Sequence, residues 1–159
     1  MDAKSEDQAQ VVLSSFFRIH RHFGKWLHAT MGNHDLNVPQ FVILQFLSND
    51  KVVPQKTVGR KLMFPQSTLS SAVDKLVTHG FVIRIISEEN RREVSLQITE
   101  AGKQKIKDIY EDPNGMHKKV HDILPKLPKE SIETLLNLHQ QFYELMQDET
   151  TENGGQASD

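Results

Sequence analysis

Cysteine is absent from this chain of 159 residues. Disulfide bonds, thiolate metal ligands and thiol redox sensing are therefore excluded. A metal site would have to use histidine and carboxylate ligands, and among the eight histidines His117 and His121 lie one helical turn apart. The sequence shows no complete ligand pattern around them, so we expect solvated or packed histidines and no bound metal.

Long apolar runs are also absent. No run approaches the roughly 18 apolar residues of a membrane-spanning helix. The first ten residues, MDAKSEDQAQ, have neither the basic nor the apolar region of a signal peptide. The lack of cysteine suits a reducing compartment. We therefore expect a cytoplasmic protein with no membrane partner.

Motifs of the common enzyme classes are missing from the sequence. There is no glycine-rich phosphate loop, no H-E-x-x-H and no nucleophile elbow. Ser67, Ser70 and Ser71 are close in sequence but match no motif of a serine nucleophile. We expect a protein that is not an enzyme and needs no cofactor.

A strong charge of one sign is lacking too, because the formal net charge is only -2. The distribution of charge is more informative. Between Pro54 and Ile98 there are seven Lys or Arg and four Asp or Glu, a balance of +3, which leaves -5 for the rest of the chain. A net positive charge on one segment is typical of a surface that contacts phosphates.

The N-terminal third predicts two helices. Phe16, Ile19, Phe23 and Leu27 recur at helical spacing, and neighbouring apolar residues widen this face beyond the needs of a surface helix. Such a broad face usually packs on its own core and on another subunit. The segment LNVPQFVILQFLSND gives a second helix, with Pro39 in its first turn.

A helix-turn-helix and a hairpin follow. PQKTVGRKL is a short helix opened by Pro54, and PQSTLSSAVDKLVTHG is a longer one that Gly80 ends in the left-handed conformation. FVIRII and EVSLQI have the composition and alternation of strands, and residues 87–92 form the loop between them. The order predicts a winged helix, a mainly α fold with a small β-hairpin wing.

The sequence of the C-terminal third predicts an interrupted helix followed by a tail. Helix starts after Thr99, the sequence DPNG at 112–115 breaks it, and it resumes at Met116. LPKLP at 124–128 separates a last helix, and residues 149–159 have the composition of a disordered acidic tail. We assign residues 6–148 to a single domain with a DNA-binding core at 36–98.

The helix that starts after Pro65 carries short polar side chains outside its apolar face. Its N-terminal end is suited to the major groove, where Gln66 can bind adenine through two hydrogen bonds and serines can bind bases or phosphates. The alternative is that these side chains only cap and solvate a surface helix. The candidate DNA-binding residues are Gln66, Ser67, Thr68, Ser70, Ser71 and Lys75.

Two adjacent arginines, Arg91 and Arg92, lie in the loop between the predicted strands. An arginine on a protruding hairpin can enter a narrow minor groove, where the negative potential is enhanced. The alternative is a solvated tip, which the neighbouring Glu88 and Glu89 partly support. Their position after a helix-turn-helix favours DNA contact.

Several segments together carry a family resemblance. They are LNVPQFVILQFL, PQKTVGRKL, PQSTLSSAVDKLVTHGFVIR and NRREVSLQITEAGK. The stretch from about residue 36 to 103 resembles the multiple-antibiotic-resistance regulator (MarR) family of winged-helix transcription factors. In the family's wing pattern, Asp-x-Arg, the arginine corresponds to Arg92, whereas the aspartate position is Asn90.

The resemblance implies a homodimer that binds double-stranded DNA. Residues 6–30 and 99–148 would supply the dimerisation helices, and two recognition helices would enter successive major grooves. It also implies a small aromatic or amphipathic effector bound between the dimerisation helices and the core. Candidate pocket residues are Phe16, Phe17, His20, Phe23, Trp26, Phe41 and Tyr110. One alternative for the pocket residues is that their side chains belong to the ordinary hydrophobic core. An alternative for the whole protein is that the winged helix serves as a protein-interaction scaffold.

Overall fold

The computed structural model describes residues 3–49, 52–86 and 93–153. These residues contain helices α1–α7, a short 3-10 helix at Leu124–Lys126 and three short strands, joined by turns. The helices are α1 (Ala3–Asn33), α2 (Val38–Leu47), α3 (Gln55–Leu62), α4 (Gln66–Thr78), α5 (Glu100–Glu111), α6 (Met116–Ile123) and α7 (Lys129–Asn153); the strands are β1 (Val53–Pro54), β2 (Val82–Ile86) and β3 (Val94–Ile98). The mainly α winged helix predicted from the sequence is confirmed.

The hydrophobic core lies between α2, α4 and the sheet. Ile43 and Leu44 of α2, Val73 and Leu76 of α4 and Leu96 of β3 are all completely buried. Each such side chain contributes about 1.5–3 kcal/mol relative to exposure. This packing fixes α4 against the sheet and turns its other side to solvent.

The start of α2 shows why the helix begins at Val38. Asn37 Oδ1 accepts a hydrogen bond from Gln40 N at 3.0 Å, and Gln40 Oε1 accepts one from Asn37 N at 2.7 Å. These reciprocal bonds form a capping box, and Pro39 in the first turn has no N–H to satisfy. The predicted second helix is confirmed.

The turn between α3 and α4 is tight. Met63 ends α3 with a left-handed φ of 52°, and a Cβ added to Gly59 would lie 2.8 Å from Leu69 Cδ2. The missing side chain therefore lets α3 approach α4 closely. At the far end of α4, Gly80 has a φ of 72°, as the sequence predicted.

The sheet has one strand more than the predicted hairpin. β1 pairs with β3, so the order is β1-β3-β2, and Pro54 lies in this edge strand directly before α3. A strand of two residues is too short to show alternation, so the sequence predicts Pro54 only as the start of a helix. The β2–β3 pairing is antiparallel and aligns Arg84 with Leu96.

The predicted break after α5 is present and is held by the end of α1. Asp112 follows α5, and its Oδ2 lies 3.3 Å from His34 Nε2 while its Oδ1 accepts a hydrogen bond from Asn114 N at 2.8 Å. Thr30 Oγ1 accepts a hydrogen bond from Met116 N at 2.9 Å. These contacts connect the end of α1 to both sides of the break.

The chain divides into two compact units, residues 1–118 and 119–159. The first contains the whole winged helix, and α7 makes up most of the second. The predicted start of the disordered tail at residue 149 was wrong for residues 149–153, because α7 continues to Asn153 before the glycines are reached. Residues 154–159 lie outside the described part, and the assignment of 6–148 to one domain stays a prediction.

Candidate nucleic-acid interface

The side of α4 away from the core carries most of the predicted DNA-binding residues. Leu69, Ala72, Val73 and Leu76 are buried, whereas Gln66, Ser67, Ser71 and Lys75 are exposed and Thr68 and Ser70 are half-buried. The structure therefore brings all six predicted residues of α4 to one helix and leaves four of them accessible. We call α4 the recognition helix below.

The N-terminus of the recognition helix is open. Pro65 precedes its first residue and makes no side-chain capping bond to the first amides. Amide N–H groups at a helix start favour an anion such as a phosphate. Gln66 Nε2 lies 3.3 Å from Ser70 Oγ, a long hydrogen bond between two side chains that can be exchanged for one to DNA.

The helix before the turn adds basic residues near this end. Arg60 and Lys61 lie in the last turn of α3 and are exposed. Positive charge therefore occurs on both helices of the helix-turn-helix, in the segment where the sequence concentrated it. The arrangement suits a backbone rich in phosphates.

The structure describes the two strands of the wing, β2 and β3, but not residues 87–92 between them. Ile86 pairs with Val94 at the outer end of the β2–β3 ladder, where the loop between the strands begins. Arg91 and Arg92, the predicted minor-groove residues, lie outside the described residues. Their assignment therefore stays a prediction.

An ion pair that the sequence does not predict joins the recognition helix to the sheet. Arg84 Nη2 donates to Asp74 Oδ1 at 2.5 Å. Arg84 is the one charged residue in FVIRII, and Asp74 is the one acid in α4. A lone charge in an apolar strand and a lone acid in the helix were the sequence features that could have indicated an ion pair. The sequence does not show that the two residues are in contact.

The predicted effector residues fall into two groups. On α1, Phe16, His20 and Phe23 are exposed and Trp26 is half-buried, with its ring centroid 6.0 Å from that of Phe23. Phe17 of the same helix is 65% exposed. Aromatic side chains this exposed on one helix are suited to a ligand or to a second protein surface.

The second group belongs to the core of the first unit. Phe41 is buried and packs edge-on against the half-buried Tyr110, with 6.3 Å between ring centroids. Tyr110 also meets the ring of His117 at 5.3 Å, and Gln45 Nε2 donates to its hydroxyl at 2.7 Å. The role of either group in effector binding stays a prediction.

Among the described residues of the first unit, two shallow surface pockets are lined by residues other than the predicted effector residues. One, of about 500 Å³, lies between the start of α2 and the end of α4 and includes Lys75 and His79. The other, of about 420 Å³, lies by the break after α5 and includes His34 and Asp112. Within the described ranges, no three His, Asp or Glu residues are grouped as a metal site would need.

No described helix is both long enough and apolar enough to cross a membrane.

Comparison with known proteins gives a consistent result. Residues 36–94 match the MarR family. The HTH-type transcriptional regulator MhqR of Bacillus subtilis is 30% identical over 124 residues, which cover 77% of this chain and 81% of the relative. A MarR family protein from Bacillus stearothermophilus has a similar fold, with a TM-score of 0.74 at 20% identity, covering 92% of this chain and 99% of that one.

Two further solved structures contain ligands of interest. Overoxidised AbfR bound to DNA matches with a TM-score of 0.63 at 19% identity, covering 91% of this chain and 99% of that one. NadR in complex with 4-hydroxyphenylacetate matches with a TM-score of 0.65 at 15% identity, covering 82% and 91%. At these identities the likeness concerns the fold.

The sequence match, the extent of the relative that it covers and the winged-helix architecture agree with one another. They also confirm the expectation that the chain is not an enzyme. This chain belongs to the MarR family of DNA-binding transcriptional regulators.

Proposed function

We propose that the chain acts as a homodimer that binds an inverted-repeat operator. The observation that carries this proposal is the exposed polar face of the recognition helix, with an open N-terminus beside it. In a symmetric dimer the two recognition helices are related by a twofold axis, so they bind half-sites of opposite orientation. The half-site centres would lie about one helical turn, or 10 base pairs, apart.

Base recognition is assigned to the recognition helix. Gln66 at its first turn offers both a donor and an acceptor, the pair that matches the N6 and N7 edge of adenine. Ser67 and Ser71 are exposed one turn apart and would contact bases or phosphates, with Thr68 and Ser70 beside them. Lys75, further along the helix, would contact the backbone.

Minor-groove contact is assigned to Arg91 and Arg92. A cationic side chain at the end of a hairpin reaches into a groove whose narrow form concentrates negative potential. AbfR, a protein of similar fold, has been crystallised on DNA. That precedent supports a DNA-bound state for this fold.

Dimerisation is assigned to the helices at the two ends of the chain. On α1, Phe17 and Leu13 are 65% and 53% exposed. On α7, Leu138 and Leu145 are 57% and 65% exposed. Large apolar side chains left in water on a regular helix are best covered by a protein partner, and a second copy supplies the same apolar surface.

The effector is expected to be a small aromatic or amphipathic molecule. NadR is known in complex with 4-hydroxyphenylacetate, a molecule of this kind. The proposed pocket residues are Phe16, His20, Phe23, Trp26, Phe41 and Tyr110. Binding there would favour a dimer whose recognition helices are spaced differently, and this would shift the population away from the DNA-bound form. A cytoplasmic location is part of the same proposal.

Two substitutions test the assignment of the DNA contacts, with anisotropy of a labelled duplex selected by the protein as the measurement. Arg92→Ala should weaken binding to every duplex and lower the slope of log affinity against log salt by about 1, because one phosphate-directed charge is lost. Gln66→Ala should relax preference at particular base pairs by about 1–3 kcal/mol.

Matched controls are available among exposed residues to which the proposal gives no DNA contact. Lys126→Ala removes one exposed positive charge, and Gln104→Ala shortens an exposed glutamine on α5. Neither should change affinity or preference. If Arg92→Ala behaves like Lys126→Ala, the wing assignment is wrong. If binding by the unaltered chain does not fall with salt, the scaffold alternative is favoured.

A further inference from the structure

The ion pair between Arg84 and Asp74 lies at the surface. The side chains are 35% and 64% exposed, and the guanidinium Nη2 is 2.5 Å from Asp74 Oδ1. An exposed pair of this kind contributes only about 0–1 kcal/mol to stability, because water already solvates both charges. Stability is therefore a weak explanation for two charged residues at this position.

Asp74 belongs to the outward side of the recognition helix. It lies three residues after Ser71 and seven after Ser67, a spacing that places all three on one face. This is the face proposed to meet DNA. A carboxylate there would repel phosphates unless a positive charge accompanies it.

Arg84 belongs to the side of the sheet that faces the recognition helix. In β2 it lies two residues after the buried Val82, on the same face of the strand, and its cross-strand partner Leu96 is completely buried. Cross-strand partners share a face of the sheet. The Arg84 side chain therefore extends from the core side of β2 to the surface. It meets Asp74 there, at the junction between the recognition helix and the sheet.

In the proposed binding mode, the junction between the recognition helix and the sheet would lie along one DNA strand. A recognition helix in the major groove and a wing in the adjacent minor groove lie on either side of one sugar-phosphate backbone. A guanidinium has five N–H donors in a planar fork, so a bond to one carboxylate leaves others for a phosphate. Asp74 would hold the Arg84 guanidinium in place at this junction.

We propose that Arg84 contacts a backbone phosphate and that Asp74 is its positioning residue. The inference rests on the proposed DNA-binding mode and adds a contact that neither the helix nor the wing tip supplies. Arg84 would set the angle at which the sheet meets the backbone, independently of base sequence.

The test uses a labelled pool of random 30-base-pair duplexes, because a phosphate contact does not depend on the operator. Affinity is measured by anisotropy over a series of salt concentrations. Arg84→Gln should lower the salt slope by about 1 and weaken binding roughly tenfold at moderate salt. Arg84→Lys keeps the charge and should keep the slope. Asp74→Asn should also keep the slope but weaken binding to the pool, because the guanidinium is no longer held in place.

Lys107→Gln is the matched control. Lys107 is 62% exposed on α5 and its Nζ lies 3.9 Å from Glu111, so the substitution also removes one cation from an exposed ion pair. Its slope should equal that of the unaltered chain. If Arg84→Gln does not fold, the double variant Asp74→Asn with Arg84→Gln leaves no unpaired charge and should show the same loss of slope.

The outcomes separate the two proposals. A folded Arg84→Gln variant with an unchanged slope would overturn the role of Arg84 and leave the proposed function standing, since the pair would then be only structural. Absence of salt-dependent binding by the unaltered chain would overturn both. A slope lowered by Arg84→Gln and not by Lys107→Gln supports the contact.

Discussion

At the scale of single residues, the fold depends on a glycine at which two segments of backbone come close together. Gly102 in the first turn of α5 is buried, and a Cβ built there would lie 2.3 Å from the carbonyl oxygen of Phe81 and 2.7 Å from Ile98 Cγ1. The backbone oxygen cannot rotate away as a side chain can. Gly102 therefore fixes how α5 leaves the sheet, and it belongs to the TEAG segment on which the family resemblance partly rests.

Gly102→Ala should lower the free energy of unfolding by about 1–3 kcal/mol, because the added methyl must displace backbone. The measurement is urea denaturation followed by circular dichroism. Gly32→Ala is the control: nothing lies within 4 Å of a Cβ there, so helix propensity should leave stability unchanged or raise it by up to about 1 kcal/mol. Equal effects at both positions would contradict the close approach.

The sequence predicts residues well at this scale when they follow a periodic pattern. Leu69, Val73 and Leu76 are buried and Ser67 and Ser71 are exposed, because helical spacing alone sorts them. The ion pair of Asp74 with Arg84 was missed because ten residues and a turn separate them. Their contact depends on how the sheet packs on the helix, which periodicity does not encode.

Elements begin and end largely where local chemistry dictates. Pro39 in the first turn of α2, Pro65 before α4 and Gly80 after it were all readable from the sequence, and the Asp-Pro-Asn-Gly break is present. The capping box at Asn37 was not predicted. β1 was missed because its two residues form a strand only through pairing with β3. The contact of α1 with the break was also unreadable, since Thr30 and Met116 are distant in sequence.

Thr30→Val tests whether α1 holds the start of α6. Thr30 is 3% exposed and its hydroxyl accepts from Met116 N, so valine leaves that N–H without its acceptor. We expect a loss of about 1–3 kcal/mol in urea denaturation. Thr134→Val is the control, because both hydroxyls donate to the carbonyl four residues earlier at 2.8 Å but Thr134 is exposed. A similar small effect for both variants would contradict the linkage.

At the scale of the whole molecule, α1 and α7 carry large apolar side chains that the single chain leaves exposed to solvent. For α1, the sequence predicts an apolar face wider than one core requires. It does not specify the geometry of an assembly, because that depends on how two copies fit. The exposed apolar side chains are the observation that supports a dimer.

Leu138→Glu tests the assembly. Leu138 of α7 is 57% exposed, and a carboxylate in an apolar interface would have to be desolvated, so the variant should sediment as a monomer at concentrations where the unaltered chain is dimeric. Sedimentation velocity measures this directly. Gln141→Glu on the same helix adds the same charge at an exposed polar position and should remain dimeric. Monomeric sedimentation of the unaltered chain would contradict the proposal.

Selection from random duplexes tests the central claim most directly. The purified protein is incubated near physiological salt with a library of duplexes, and those retained are sequenced. The account predicts enrichment of an inverted repeat whose half-site centres lie about 10 base pairs apart. Retention without any enriched sequence, by protein shown to be folded and dimeric, would contradict sequence-specific recognition by the recognition helix.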